Sequence, residues 1–442
     1  MHQLSGFPYA RLAFDGEGAL RKPYDGSDLL KYLRTSADTD LIVIAHGWRN
    51  DEQDAQQLFQ AFLKSASEGM KHLGLSKLVR QTPVAGVCWP SMALPEHTAA
   101  SDGAASMGGG EADQQLGAAL QALAKNVSAE QRETIVALTG LLELIESDSG
   151  ARRDFVSGLL SILTEDDESG EEGLEVLRST EAEELFERLS APILFPVEAG
   201  SQDQGGIAGV EEPSVEAAGL GALLAGIKGG AARLVNITTF YLMKERAGRV
   251  GMVGVYPYLG GLQAQFPHLR LHLIGHSFGG RLVSAAARGV EGGTPLLVST
   301  ITLLQAAFSH YGFSDNAAHK GSPGFFRPVV EVGRVKGPIL ITHTANDKAV
   351  GIAYAIASRL AGQNAAALGD ASDEHGGIGR NGAQLTPEAV SGKLIEAGGI
   401  YQWAAGRLFN LRADDYIRGH SDVTGAQVGY AFASAFAFTR AT

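Results

Sequence analysis

Leu271-His-Leu-Ile-Gly-His-Ser-Phe-Gly-Gly280, running on into Arg281-Leu-Val-Ser-Ala-Ala-Ala-Arg288, is the stretch on which the reading of this chain turns. An apolar run enters a Gly-x-Ser-x-Gly pentapeptide, Gly275 to Gly279, and a small-residue segment at helical spacing leaves it. That order predicts a strand, a sharp turn and a helix, with the Ser277 hydroxyl exposed above the end of a parallel sheet by a strained backbone. The glycines two residues before and after the serine leave room for strand and helix to close on the turn. The bare pentapeptide is a weak signal. The readable strand before it and helix after it supply the context that the motif requires.

A second stretch, Leu41-Ile-Val-Ile-Ala-His-Gly-Trp48, is a continuous apolar run rich in β-branched residues, the mark of a strand buried on both faces. With these two motifs, and more weakly with its C-terminal third, the chain resembles the α/β-hydrolase superfamily, and within it lipase/esterase-type serine hydrolases of bacterial type. The resemblance covers about two thirds of the chain and leaves out a long middle segment. It implies an α/β fold with a mostly parallel central sheet flanked by helices. It also implies an oxyanion hole made by the backbone N–H groups of Trp48 and Phe278, with Gly47 letting the backbone approach the substrate. His46 reads as a brace for that loop, because the base of the superfamily comes last in the chain.

A serine hydroxyl is a poor nucleophile until a base takes its proton, and the base needs a carboxylate to hold its tautomer. The hydrolase order is Ser, then Asp or Glu, then His. Asp347 directly follows the buried run Ile339-Leu-Ile-Thr-His343 and by resemblance takes the acid position. His420 follows the strand Leu408 to Arg412, precedes the closing helix Gly425 to Phe438, and is the last histidine. By resemblance it is the base. Asp414, Asp415 and Asp315 remain competitors for the acid, and Asp422 reads as bracing the His420 loop. His276 neighbours the serine on a sharp turn and points away from it. His46, Gly47, Trp89, His276 and His343 are expected around the substrate pocket, with a core position for Trp89 equally open. His310 sits at a strand end, and His375, in an irregular glycine-rich loop, reads as a surface residue. That loop, Gly376-Gly-Ile-Gly-Arg-Asn-Gly382, follows no strand and lacks Gly-Lys-Ser/Thr, so a phosphate site is not expected there.

The remaining strands are expected over Tyr9 to Phe14, Thr82 to Val87 and Leu297 to Ala306. Helices are expected over Asp28 to Leu33, Asp54 to His72, Ala231 to Glu245 and Tyr354 to Ala361. Three regions follow: core over 1–95, an acidic helical insertion over 96–230, and core again over 231–442. Residues 101–230 hold 25 Asp and Glu against 7 Lys and Arg, a net of −18, whereas the whole chain carries −13, so the remainder is +5. Apolar residues at helical spacing over Gln115 to Lys125, Thr134 to Glu146, Phe155 to Leu163 and Leu174 to Leu189 make the insertion a cap or lid, with a solvated appendage as the alternative. The run Glu165 to Glu172 lacks the alternating spacing of a calcium loop.

Composition excludes several classes. A net charge of −13 argues against non-specific nucleic-acid binding. The single cysteine, Cys88, permits no intrachain disulfide and reads as a buried, inert thiol. The chain shows no secretory signal and no apolar run near the ~20 residues needed to span a bilayer, so a cytoplasmic location is expected. No metal or cofactor is expected, since metal-ligand spacing such as His-Glu-x-x-His is missing. The expected activity is hydrolysis of a small-molecule or lipid-like ester. Thioesterase, amidase and peptidase activities share the chemistry, and a non-catalytic binding protein on the same scaffold is the alternative from another class.

Overall fold

In the computed structural model, residues 1–21, 23–35, 40–91, 109–163, 174–190, 226–315, 323–331, 333–350 and 375–441 are described. The strands are β1 (His2–Leu4), β2 (Phe7–Ala13), β3 (Asp40–Ala45), β4 (Val84–Cys88), β5 (Arg270–His276), β6 (Val298–Leu304), β7 (Ile339–His343), β8 (Ala389–Lys393) and β9 (Leu408–Arg412). They form one nine-stranded sheet in the order β1-β2-β4-β3-β5-β6-β7-β9-β8. Every pairing is parallel except β1 with β2, where a tight turn allows an antiparallel hairpin. The chain is therefore a mixed α/β protein built on a mostly parallel sheet.

The principal helices are α1 (Pro23–Thr35), α2 (Glu52–His72), α3 (Ser76–Val79), α4 (Gly109–Ala124), α5 (Ala129–Thr139), α6 (Ser149–Ser161), α7 (Leu174–Ser179), α8 (Ala182–Ser190) and α9 (Ile227–Arg249). A π-helical turn, Val250–Val255, joins α9 to α10 (Tyr256–Gln265). Then come α11 (Phe278–Arg288), α12 (Arg327–Val330), α13 (Ile378–Asn381) and α14 (Ala426–Ala441).

β3 shows why the sheet lies in the middle. All six of its residues are buried. Leu41, Val43 and Ala45 face one hydrophobic cluster, and Ile42 and Ile44 face the other. Period-two alternation thus feeds two cores, so the apolar run has no polar face. On the second face α2 packs on α14. Gly69 and Gly429 sit at their crossing, where a Cβ on Gly69 would meet the Tyr430 Cα at 2.9 Å. Helix α2 begins at a capping box in which the Asp51 carboxylate accepts from the Asp54 N–H and the Asp54 side chain accepts from the Asp51 N–H.

The first cluster is larger because the acidic insertion joins it. Leu120 and Leu123 of α4, Phe155 and Leu159 of α6 and Leu185 of α8 belong to the same continuous core as Leu271, Leu273 and Leu282. Arg246 of α9 donates to the Pro90 carbonyl at 3.0 Å and to the Asn126 carbonyl, tying core and insertion together. The described part of the insertion is thus packed on the core, not a detached appendage. The calcium-loop candidate Glu165 to Glu172, the glycine stretch 200–209 and the expected helix over Tyr354 to Ala361 lie outside the described residues.

Several sequence expectations shift. The helical pattern over Leu174 to Leu189 is two helices broken at Thr180 and Glu181. The pattern over Thr134 to Glu146 ends as a helix at Thr139 and continues as turns. Strand β8 has no counterpart in the sequence reading, because it is an edge strand with no fully buried residue and so no apolar run. Among the described residues no helix is long and apolar enough to cross a membrane.

Candidate active site

Strand β5 delivers the chain to Ser277, which has φ 55° and ψ −125° and precedes the first turn of α11. A positive φ on a non-glycine residue stores strain of order 1–3 kcal/mol and persists only where the surroundings impose it. Here they do. The Ser277 N–H donates to the Leu304 carbonyl at 3.1 Å, and its carbonyl accepts from Gly280 and Ala307 at 2.9 and 3.1 Å. A Cβ on Gly275 would overlap the Gly279 carbonyl, and one on Gly279 would overlap the Ala45 carbonyl. The turn therefore cannot close, nor pack on β3, with any other residue at those two positions.

His420 lies beside this turn. Its Nδ1 is 2.9 Å from Asp347 Oδ2. Asp347 is fully buried, and its Oδ1 accepts from the Val350 N–H at 2.9 Å while its Oδ2 also accepts from the Gln305 amide at 3.1 Å. Burial pushes this carboxyl up, but the His420 ring and these two donors outweigh burial and hold it below its usual range. An ionised carboxylate can only accept, so His420 Nδ1 carries a proton, which leaves Nε2 as the ring's acceptor whenever the ring is neutral.

The elbow and the base are joined by His276. Its Nε2–H donates to the His420 carbonyl at 2.9 Å, and the two rings sit 4.9 Å apart. Burial, reinforced by the nearby His420, pulls His276 down to about 3, so it stays neutral and acts as a tether. His276 points away from the serine as expected, but its bond to the base loop is not legible in the pentapeptide.

The loop after β3 covers the serine. A Cβ on Gly47 would lie 2.7 Å from Ser277 Cβ and 3.2 Å from its Oγ, so the backbone passes the nucleophile at a distance only glycine permits. His46 and Trp89 brace this loop from behind. His46 Nδ1–H donates to the Gly47 carbonyl at 2.9 Å, its Nε2 accepts from the Trp89 N–H at 3.2 Å, and the Trp89 indole donates to the His46 carbonyl at 2.9 Å. The rings stack at 5.6 Å, and burial lowers His46 to about 4. Trp89 is 4% exposed. It belongs to the first hydrophobic core cluster. Ser91 completes the brace, donating to the Asn50 carbonyl at 2.7 Å. The Trp48 ring lies 5.9 Å from Phe278 and 6.2 Å from Phe240 of α9.

The competing acids separate cleanly. Asp414 is exposed and accepts from the Thr344 hydroxyl and the Ala345 N–H at 2.8 and 3.1 Å, so it braces the loop that carries Asp347. Asn346 laces that loop to the His420 loop, donating to the Asp414 and Ile417 carbonyls at 3.1 and 2.9 Å. Asp415 and Asp315 are exposed, and Asp422 accepts from the Arg418 N–H as a loop brace. The contact recorded for His343 is with the Arg380 carbonyl at 3.4 Å, not with the elbow. His375 is 2% exposed, which corrects its reading as a surface residue: the glycine-rich loop is folded inward, with the Gly376 carbonyl accepting from His310 N–H.

Gln305 was missed by the sequence reading. It ends β6 with φ 43° and donates from one amide nitrogen to both Asp347 and the Gly379 carbonyl, at 3.1 and 2.7 Å. The signal was present in the polar residue closing Leu303-Leu304-Gln305. Its function depends on Gly379, 74 positions away, which no local pattern supplies.

Among the described residues no group of His, Cys, Asp and Glu is placed to hold a metal ion. Comparison with protein-family models, with curated proteins and with solved structures returns no match to the chain.

Proposed function

We propose that the protein is a serine hydrolase of α/β-hydrolase type that cleaves carboxylic esters through Ser277, His420 and Asp347. The observation that carries this reading is the strained Ser277 turn with the His420–Asp347 pair tethered beside it through His276. Strain of this kind at an otherwise well-packed turn has a rationale if the hydroxyl must stand clear of strand and helix.

The chemistry follows from the groups present. His420 Nε2 takes the Ser277 proton as Oγ adds to the acyl carbonyl. The N–H groups of Trp48 and Phe278 stabilise the oxyanion, and neither N–H donates to another group among the described residues. The imidazolium returns its proton to the leaving alcohol, giving an acyl-enzyme and the freed alcohol. Water, deprotonated by His420, then adds to the acyl carbon; Ser277 leaves with a proton and the carboxylic acid is released. Asp347 keeps the His420 tautomer and stabilises the imidazolium, supported by Gln305 and Val350. The helix that follows the insertion, α9, brings Phe240 against Trp48 and Phe278, which supports the reading of the insertion as a cap over this site.

The test is covalent labelling with a fluorophosphonate, with the adduct mapped by mass spectrometry. An adduct on Ser277, missing in Ser277→Ala and accompanied by turnover of a short acyl ester, is expected. A folded wild type that takes no label would leave the non-catalytic scaffold as the better reading.

A further inference from the structure

One residue of the loop over the serine has a charge with no counterpart. Arg49 follows Trp48, with φ 62°. Its guanidinium lies over the Trp48 ring, 4.7 Å from the centroid. Two of its nitrogens, Nε and Nη2, are shut off from solvent and have no hydrogen-bond partner among the described residues. Burial draws the group down to about 10. In a chain with 49 acidic residues this is a conspicuous omission, because a desolvated arginine is ordinarily paired.

The two orphaned atoms are not arbitrary. Nε–H and Nη2–H form one side of the guanidinium fork, the side that matches a carboxylate or phosphate through two parallel hydrogen bonds. Arg270 of the same chain shows the edge in use, with Nε and Nη2 on the two oxygens of Asp40 at 2.6 and 2.8 Å. Stacking on Trp48 engages the face of the Arg49 group and leaves the in-plane donors unused. The neighbouring backbone is held firmly: the Asn50 amide donates to the carbonyls of Gly47 and Trp48 at 3.3 and 2.9 Å. Arg49 is thus presented by the same loop that passes Ser277 at Gly47.

We propose that the Nε/Nη2 edge of Arg49, stacked on Trp48 beside the Ser277 turn, binds an anionic group, a carboxylate or a phosphate, carried by the ester substrate. The assignment of this anion to a substrate rests on the reading of Ser277 as nucleophile; the anion site itself does not. The favoured substrates are then short esters with a second, negatively charged end, and plain neutral esters are the poorer class.

The test is calorimetric binding in the Ser277→Ala background, where no ester is consumed. The probes are monoethyl glutarate, with the carboxylate on the acyl side; O-butyrylglycolate, with it on the alcohol side; 2-(butyryloxy)ethyl phosphate; and neutral ethyl valerate. At least one anionic ester is expected to bind about 10- to 100-fold more tightly than ethyl valerate, the range of a charge-assisted bidentate pair. That preference should vanish in Arg49→Met and fall several-fold in Arg49→Lys, which keeps the charge but not the fork. Equal binding of all four probes overturns the proposal, as does a preference that survives in Arg49→Met. Should Arg49→Met fail to fold, an undiminished preference in Arg49→Lys overturns it equally. Arg49-dependent binding in a protein whose Ser277 takes no fluorophosphonate would keep the anion site and remove the hydrolase.

Discussion

The sheet carries two buried Asp–His pairs, one at each end of its strands. At the end where β3 and β5 begin, His272 Nε2–H donates to Asp40 at 3.1 Å, and its Nδ1 accepts from the Thr300 hydroxyl at 2.9 Å. At the end where β5 finishes, His420 Nδ1–H donates to Asp347 at 2.9 Å beside Ser277. Both are an acid, an imidazole and a nearby hydroxyl, yet only the second adjoins a strained turn, the one that carries the proposed nucleophile. Asp40, His272 and Thr300 are all fully buried, and Asp40 is further held by Arg270 and Arg440. Phe436 covers the His272 ring at 4.4 Å. Thr300 lies inside strand β6, whereas Ser277 has a positive φ, the Gly47 backbone passing close over it and the start of a helix behind it. An Asp–His–hydroxyl line is therefore not a catalytic device by itself. Backbone strain at the hydroxyl and the neighbouring helix start separate the proposed catalytic pair from the structural one.

The largest expected effect tests that separation directly. Ser277→Ala or His420→Ala should lower ester turnover by about 10⁴–10⁶-fold, with thermal melts near wild type. His272→Ala should instead lower the melting temperature, while turnover per folded molecule persists. Comparable turnover losses in His272→Ala and His420→Ala would erase the distinction. Asp347→Asn comes next. Its side-chain amide can face Nδ1 as a donor and favour the wrong tautomer, so kcat should fall about 10⁴-fold in steady-state assays.

Gly47→Ala probes access. The added methyl meets Ser277 Cβ at 2.7 Å, so the loop must retreat and carry its N–H donors away. Turnover is expected to drop on the order of 10²–10³-fold, and an effect under threefold would remove this loop from the oxyanion site. For the structural pair, Asp40→Asn should cost about 1–3 kcal/mol in urea unfolding, because it removes the buried carboxylate to which His272, Arg270 and Arg440 donate. Burial pushes the Asp40 carboxyl up, but Arg270 and His272 outweigh it and hold it below its ordinary value. Its contribution is therefore present above pH ~4 and lost as pH falls below that, so wild type and variant should converge in acid.

The smallest effect concerns His46, drawn from 6.5 to about 4 by burial. The unfolded chain then binds a proton that the folded chain refuses between those values. Stability falls as pH drops from 6.5 toward 4, by about 1.4 kcal/mol per pH unit for each such histidine. His46→Gln should flatten that slope by one proton in urea titrations at pH 6.5, 5.5 and 4.5.

The stretches that proved legible in the sequence are those whose physics is local. Leu41 to Ala45 and Leu271 to Gly275 read as buried strands because a strand covered on both faces needs apolar side chains at every position. The sharp turn at Ser277 was readable because such a turn demands glycines at fixed offsets, and His420 was singled out because chain order leaves few histidines so late. The edge strand β8 escaped because an exposed edge imposes no such pattern, and the break at Thr180 and Glu181 because helical spacing persists across it.

Four aspartates were open as the acid partner, and only their burial and partners in three dimensions chose Asp347 over Asp414, Asp415 and Asp315. Gln305, the His276 tether, the inward turn of His375 and the unpaired edge of Arg49 were likewise decided by contacts across tens to hundreds of positions. Backbone conformation and hydrophobic periodicity are set within a few residues and so are written in the sequence. Whether a charge ends buried, paired or alone depends on which distant groups the fold brings within hydrogen-bonding reach, and only the tertiary structure settles that.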